Sequence, residues 1–486
     1  MDVCEIIARK DTKTQNIASF SRLFNIKNQL GVLGALAREK QSMNKIRITF
    51  ASKIGIVAAA AGSAVGLGNI WRFPSQAADG GGALFIFLYI GCILFFGIPL
   101  MMGEFIIGRA GRANPSTSFE KLAPNTSWKW VGRLGVVTGF LIMGFYMVVC
   151  GWTLDYIVQS VSGQLMATES FSNNFFELQQ SPIRQIAWMF LFTSLTAFFI
   201  LAGVKKGIEQ SAKVLMPVLF LLLLVLGIRS VTLSGAQEGL SFLFKPNMEQ
   251  VKSTIFLDAM GQAFFSLSIG MGCMTTYGSY FRDDTNLRKT AVQVSLLDTL
   301  VAVLAGIVIF PAAFALSQSP DTIVPNLVAG GPGLLFITIP ELFHYLPFSS
   351  LWATLFFVLL GIAALTSTIS LMEVVTSYLH EELHMLRSRA IIFISIGVTL
   401  LGVVSSILPQ FFNLLDFATA KIMLPLGGLF ISVFIGWYLD KNVLRTQISN
   451  NGSLNISVRF LKGYVFILRY VAPLAIAAIF VYGLLF

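Results

Sequence analysis

Eleven apolar segments, each near the ~20 residues needed to cross a hydrocarbon core, leave this chain few folds other than a bundle of membrane helices. They fall at about 53–74, 82–108, 131–160, 186–203, 211–230, 254–280, 290–317, 350–384, 389–408, 416–439 and 464–486. With 55% hydrophobic and 12% charged residues, the sequence has too little charge to clothe a soluble particle of this size. The net charge of +10 does not indicate a nucleic-acid partner, because the basic residues sit between apolar spans rather than along one face. Lys45, Arg47 and Lys53 precede the first span, and Arg109, Arg112, Lys121, Lys129 and Arg133 join the second to the third. Lys205, Lys206 and Lys213 lie between spans four and five, Arg282, Arg288 and Lys289 between six and seven, and Arg387 and Arg389 between eight and nine. If every segment crosses, all these loops share one side, which predicts a cytoplasmic N-terminus, an external C-terminus and residence in the cell's inner membrane.

Residues 1–43 are basic and contain no long apolar run, so they read as a mobile or surface-lying tail rather than a signal peptide, and Met43 is an alternative start. The four cysteines have no paired spacing, which implies neither a disulfide framework nor a thiolate metal site. The connection at 318–349, rich in Pro and Gly, is long enough to be a lid.

Two of the spans are poor helices. The first carries Gly62, Gly66 and Gly68, then Asn69, Arg72 and Pro74; glycine weakens the helix and permits other backbone angles, so this span should open and expose bare amides and carbonyls. Lipid does not tolerate such groups, so they must line an enclosed cavity. The sixth carries a matching interruption, Ser266-Leu267-Ser268-Ile269-Gly270-Met271-Gly272. The two lead successive five-span sets, and an odd number of spans makes the second set enter from the opposite side. The expected architecture is an all-α inverted repeat: 44–230 for spans one to five, 231–442 for spans six to ten, and 443–486 for an extra span. Secondary transporters hold substrate and ions at such paired breaks.

The chain resembles the neurotransmitter:sodium symporters, which share the leucine-transporter fold. The resemblance runs from about Arg47 to Tyr438. It rests on Gly62-Ser63-Ala64-Val65-Gly66-Leu67-Gly68-Asn69 with Arg72-Phe73-Pro74, Asp79-Gly80-Gly81-Gly82-Ala83, Gly97-Ile98-Pro99-Leu100 with Glu104, Gly108-Arg109, Gly261 to Ser268, Leu365-Thr366-Ser367 and Asp416-Phe417. It implies sodium ions as co-substrates, with no organic cofactor. One ion would be held by the Ala64 carbonyl, Asn69, Ser266, Asp298 and the substrate carboxylate. The other would be held by the carbonyls of Gly62, Val65 and Ala363 and the hydroxyls of Thr366 and Ser367. Hard cations favour such oxygen cages, although Thr366 and Ser367 would equally satisfy their own helix. Asp298 stands where the family commonly has Asn, and Ala302 stands where chloride-dependent relatives have a serine. An ionised Asp298 could therefore replace chloride, giving chloride-independent transport.

By the same resemblance, the amides of Leu67 and Gly68 and the hydroxyl of Tyr146 would bind a substrate carboxylate, and carbonyls of Ala64, Phe265 and Ser268 its amino group. Gly66 occupies the position of an aspartate in amine-transporting relatives, which favours amino acids. Ile142, Tyr146, Phe265, Met271, Ser367 and Leu371 would wall the side-chain pocket, and none carries a charge, so a neutral hydrophobic or aromatic L-amino acid is expected. Arg72 with Asp416, at the start of span ten, and with Gln262 resembles an outer gate. Arg47 with Glu381, Phe50 and Tyr280 resembles an inner one.

Two other readings remain. His380-Glu381-Glu382-Leu383-His384 fits H-E-x-x-H, the zinc motif of intramembrane proteases, with His344 as the one histidine left for a third ligand. A non-transporting amino-acid sensor of the same fold would use the same site. The chain has no Walker-type phosphate loop, which argues against an ATP-driven pump. The sequence leaves the oligomeric state open, a homodimer included.

Overall fold

The computed structural model describes residues 49–246, 255–316 and 333–485. Helix α1 (Lys53–Ala64) and helix α2 (Gly68–Asp79) form one bent span. Beyond it come α3 (Ala83–Gly111), α4 (Lys129–Val161), α5 (Pro182–Leu201) and α6 (Val204–Val231). A second interrupted pair follows, α7 (Ile255–Ser266) and α8 (Cys273–Ser279). Then come α9 (Leu287–Leu316), the short α10 (Leu334–His344), α11 (Ser349–Glu381), α12 (Arg387–Ile407), α13 (Pro409–Tyr438) and α14 (Val458–Ala478). Among the described residues, nine unbroken helices and the bent pair α1–α2 are long and apolar enough to cross a membrane.

Burial sorts these helices into layers. The apolar stretches of α4 and α11 are 78% buried, against 33% for α5, α6 and α12 and 22% for α14. The first two run along each other through the middle of the bundle, while the others turn Phe190, Phe198, Leu221, Phe393 and Leu474 outward to lipid. The broken helices sit against this central pair, so the weakest backbone is enclosed by the most buried protein.

Two boundaries differ from the sequence reading. Span one continues to Asp79 instead of stopping at Pro74; the chain over Gly68–Arg72 is wound as a π turn, which absorbs the missing proline N–H at the next helical turn. Span ten begins at Pro409, where a proline at the first helical position needs no backbone donor, so Asp416 lies within α13 and not at its start. Of the expected lid, residues 317–332 lie outside the described residues, as do the tail 1–43 and Arg47. Its later part is α10, whose Phe336 ring stacks among Trp152, Tyr156, Phe175 and Phe357.

Candidate functional site

Helix α1 stops at Ala64 because Val65 turns extended, with φ −69° and ψ 115°, and α2 resumes at an angle of 54°. In an unbroken helix the Gly66 amide would bond the Gly62 carbonyl; here it donates to Asn69 Oδ1 at 3.0 Å. The Leu67 amide likewise leaves the helix and donates to the Tyr146 hydroxyl at 3.0 Å. At the second break Ser268, Gly270 and Gly272 all have positive φ, at 54°, 86° and 77°, so two glycines supply a conformation that other residues resist. Glu104 of α3, fully buried, holds this turn: its carboxylate accepts the Gly270 amide at 2.8 Å, the Thr275 amide at 3.1 Å and the Thr275 hydroxyl at 3.0 Å.

The two breaks touch. Ser268 Oγ donates to the Ser63 carbonyl and Gln262 Nε2 to the Gly68 carbonyl, each at 3.0 Å. Around Asn69 lies a closed polar cluster: Nδ2 donates to Ser266 Oγ at 3.0 Å and to Asp298 Oδ1 at 2.7 Å, while Ser266 Oγ donates to Asp298 Oδ2 at 2.7 Å. Tyr89 of α3 completes it, its hydroxyl 3.1 Å from Ser266 Oγ and 3.3 Å from Asp298 Oδ2. Asn69, Ser266, Asp298 and Tyr89 are all buried, and Ala302 lies buried one turn beyond Asp298. The oxygens of Ser266, Asp298 and Tyr89 are of the kind a hard cation takes, while Asn69 turns its Nδ2 to them and its Oδ1 to the Gly66 amide.

A second oxygen group forms where α11 crosses the first break. Ser367 Oγ donates to the Val65 carbonyl at 3.0 Å, and a Cβ added to Gly62 would lie 3.3 Å from Thr366 Cβ. Thr366 Oγ1 bonds back to its own helix, 3.0 Å from the Ala363 carbonyl and 3.2 Å from that of Ile362, and Ala363 is buried.

Between the groups is the predicted substrate position. A Cβ on Gly66 would stand 2.4 Å from Ser367 Oγ and 3.0 Å from the Tyr146 hydroxyl, so a side chain there would require Ser367 to turn away. Ile142, Tyr146, Met271 and Leu371 are buried, and a Cβ on Gly139 would touch Leu371 Cδ2 at 3.5 Å and the Met271 carbonyl at 3.6 Å, so α4, the second break and α11 converge here. Phe265 covers Gly68 and carries Arg72 over its ring at 4.8 Å. Among the described residues no ion pair joins Arg72 to Asp416; Asp416 and Asp258 act on the guanidinium from farther off. Phe50 bonds the Tyr280 carbonyl through its amide at 3.0 Å and meets the Tyr280 ring edge-on. The Asn114 amide donates to the Glu381 carboxylate at 2.7 Å.

Three groups are not marked out by the sequence motifs: Tyr89 and Glu373 lie outside them, and Glu104 enters only as part of one. Glu373, fully buried, binds Arg387 and accepts the Tyr280 hydroxyl at 2.6 Å. The available signal was that an ionisable group inside an apolar span needs a partner and a purpose. The protease reading fails on geometry. Helix α11 ends at Glu381 and His384 is left-handed, so the two histidines do not share a helical face. His380 Nδ1 lies 2.7 Å from the Met385 carbonyl, Glu382 pairs with Arg133, and no cluster of three metal-ligating side chains occurs among the described residues.

Two interrupted helices meeting inside a membrane bundle, with buried oxygens at both breaks, define a secondary transporter. The chain belongs to the sodium:neurotransmitter symporter family, whose model matches residues 47–176 and 165–485. It is 37% identical to the sodium-dependent transporter YhdH of Bacillus subtilis over 89% of this chain and 97% of that one. A sodium-dependent transporter of Haemophilus influenzae is 35% identical over 91% and 99%. The crystal structure of MhsT in complex with L-phenylalanine superposes with a TM-score of 0.81 at 42% identity, covering 90% of this chain and all of that one. The protein is thus a sodium-dependent symporter in the lipid bilayer with the leucine-transporter fold, moving a small molecule with sodium as co-substrate, and not an enzyme.

Proposed function

We propose that the chain imports a neutral hydrophobic or aromatic L-amino acid by alternating access. The observation that carries this reading is Gly66, which offers no carboxylate to pair with an amine substrate and whose Cβ position is crowded by Ser367 and Tyr146. The substrate then brings its own carboxylate. In this reading that group meets the amides of Leu67 and Gly68 and the Tyr146 hydroxyl, and completes the ion site of Asn69, Ser266, Asp298 and the Ala64 carbonyl. The second ion takes the carbonyls of Gly62, Val65 and Ala363 with Thr366 and Ser367. The apolar wall of Ile142, Met271 and Leu371, with Phe265 beside it, suits a large uncharged side chain, and MhsT, which holds L-phenylalanine, supports the same class.

Asp298 supplies a fixed carboxylate within reach of the first ion, so transport in this account needs no chloride. Arg72 and Asp416 close the outer path and Arg47 and Glu381 the inner one, from an N-terminus in the cytoplasm of an inner-membrane protein. The test is uptake of labelled amino acids into proteoliposomes under a sodium gradient. L-Phenylalanine, L-leucine and L-tryptophan should accumulate and 2-phenylethylamine, which lacks the carboxylate, should not. Equal uptake of the amine would refute the assignment.

A further inference from the structure

Away from the breaks, a cavity of about 480 Å³ opens between α1, α6 and the start of α9. Its floor is apolar, formed by Val57, Ala61, Met216, Phe220 and Leu297, and three lysines, Lys53, Lys213 and Lys289, stand at one end. Asp284 is the one carboxylate in that lining; it lies 3.9 Å from Lys53 but is shared with Arg282 at 3.0 Å. Lys213 pairs with Glu209 at 2.7 Å, and Lys289 has no ion pair among the described residues. Positive charge is therefore in excess at the mouth, beside apolar surface that a soluble anion would not use.

The surface continues in the same sense. Ile54, at the edge of the cavity, is 76% exposed, and the outward faces of α6 and α9 carry Val214, Leu221, Leu296 and Leu300, all exposed. Lys53 and Lys289 lie in the first turns of α1 and α9, where spans meet the headgroup layer, and Lys213 is the tenth residue of α6. A ligand that fills this shape has an anionic head, a short apolar neck and chains that run along a bundle in contact with lipid.

We infer that this cavity is a binding site for an anionic phospholipid, its phosphate among Lys53, Lys213 and Lys289 and its first acyl carbons on Phe220 and Leu297. The inference rests on the membrane fold alone and holds whichever amino acid the protein carries. A lipid so held bridges the lower half of the first broken span to α6 and α9, and so ties that half-helix to its neighbours.

The test uses the full chain in a neutral detergent, followed by native mass spectrometry with phosphatidylglycerol, with phosphatidylcholine of the same acyl chains, and with glycerol phosphate alone. Phosphatidylglycerol should be retained about tenfold more tightly than phosphatidylcholine, since each lysine near a phosphate contributes on the order of a few-fold. The double variant Lys53→Gln/Lys289→Gln keeps the Lys213–Glu209 pair and should lose most of that preference. The exposed control Lys441→Gln/Arg445→Gln should retain it. Leu297→Trp, which fills the floor, should release the lipid while all three lysines remain. Equal retention of the two lipids, an unchanged preference in the double variant, lipid still held by Leu297→Trp, or displacement by glycerol phosphate at matched concentration would each overturn the inference.

Discussion

Asn69 and Asp298, 229 residues apart in sequence, are joined by a buried hydrogen bond of 2.7 Å from Asn69 Nδ2 to Asp298 Oδ1. The bond ties the first broken helix to α9 and puts a carboxylate where an amide oxygen alone would be a weaker partner for a cation. Replacing chloride by gluconate should therefore leave uptake unchanged. Asp298→Asn keeps the shape and removes the charge; sodium affinity should fall roughly ten- to a hundredfold, the ~1.5–3 kcal/mol typical of a hydrogen bond to a charged group. Sodium titration of substrate binding at fixed ionic strength measures this, and an unaltered midpoint would remove Asp298 from the ion site.

Gly66 is fixed by its neighbours. Gly66→Ala places a methyl 2.4 Å from Ser367 Oγ, and overpacking of this kind costs about 1–3 kcal/mol. Thermal unfolding should show the loss, and substrate binding should fall with it. Adding Ser367→Ala should recover part of the stability; no recovery would mean that the strain lies elsewhere.

Tyr146→Phe removes the acceptor of the Leu67 amide. In the proposed site the same hydroxyl donates to the substrate carboxylate, and losing a hydrogen bond to a charged group costs about 1.5–3 kcal/mol, so amino-acid affinity should drop roughly ten- to a hundredfold. The readout that separates this from general damage is sodium binding without substrate, which should stay within about twofold of wild type.

Glu104 anchors the second break through three hydrogen bonds. Glu104→Gln keeps one acceptor and presents a donor where another acceptor is needed, so stability should fall by about 2–3 kcal/mol. The melting midpoint in detergent checks it. A variant as stable as wild type would show that the turn at Ser268 to Gly272 holds itself.

Much of this is legible in the sequence. The break at Gly62 to Asn69 is written in local helix propensity, and its twin at Ser266 to Gly272 in the same terms. Which oxygens face each other was not local: Tyr89 reaches Asp298 across 209 residues and Glu104 reaches Gly270 across 166, and no spacing rule connects such positions. The early start of span ten has a local signal, Pro409 at the head of an apolar run. The H-E-x-x-H spacing carries no information about where a helix ends, and α11 stops inside it.

If sodium moves with a hydrophobic amino acid through the paired breaks, labelled sodium flux into proteoliposomes, with and without external L-phenylalanine, will show it. Sodium entry should be stimulated by the amino acid and abolished in Asn69→Ala protein that remains folded. Amino-acid binding with no stimulated sodium entry would contradict it and leave a sensor in place of a transporter.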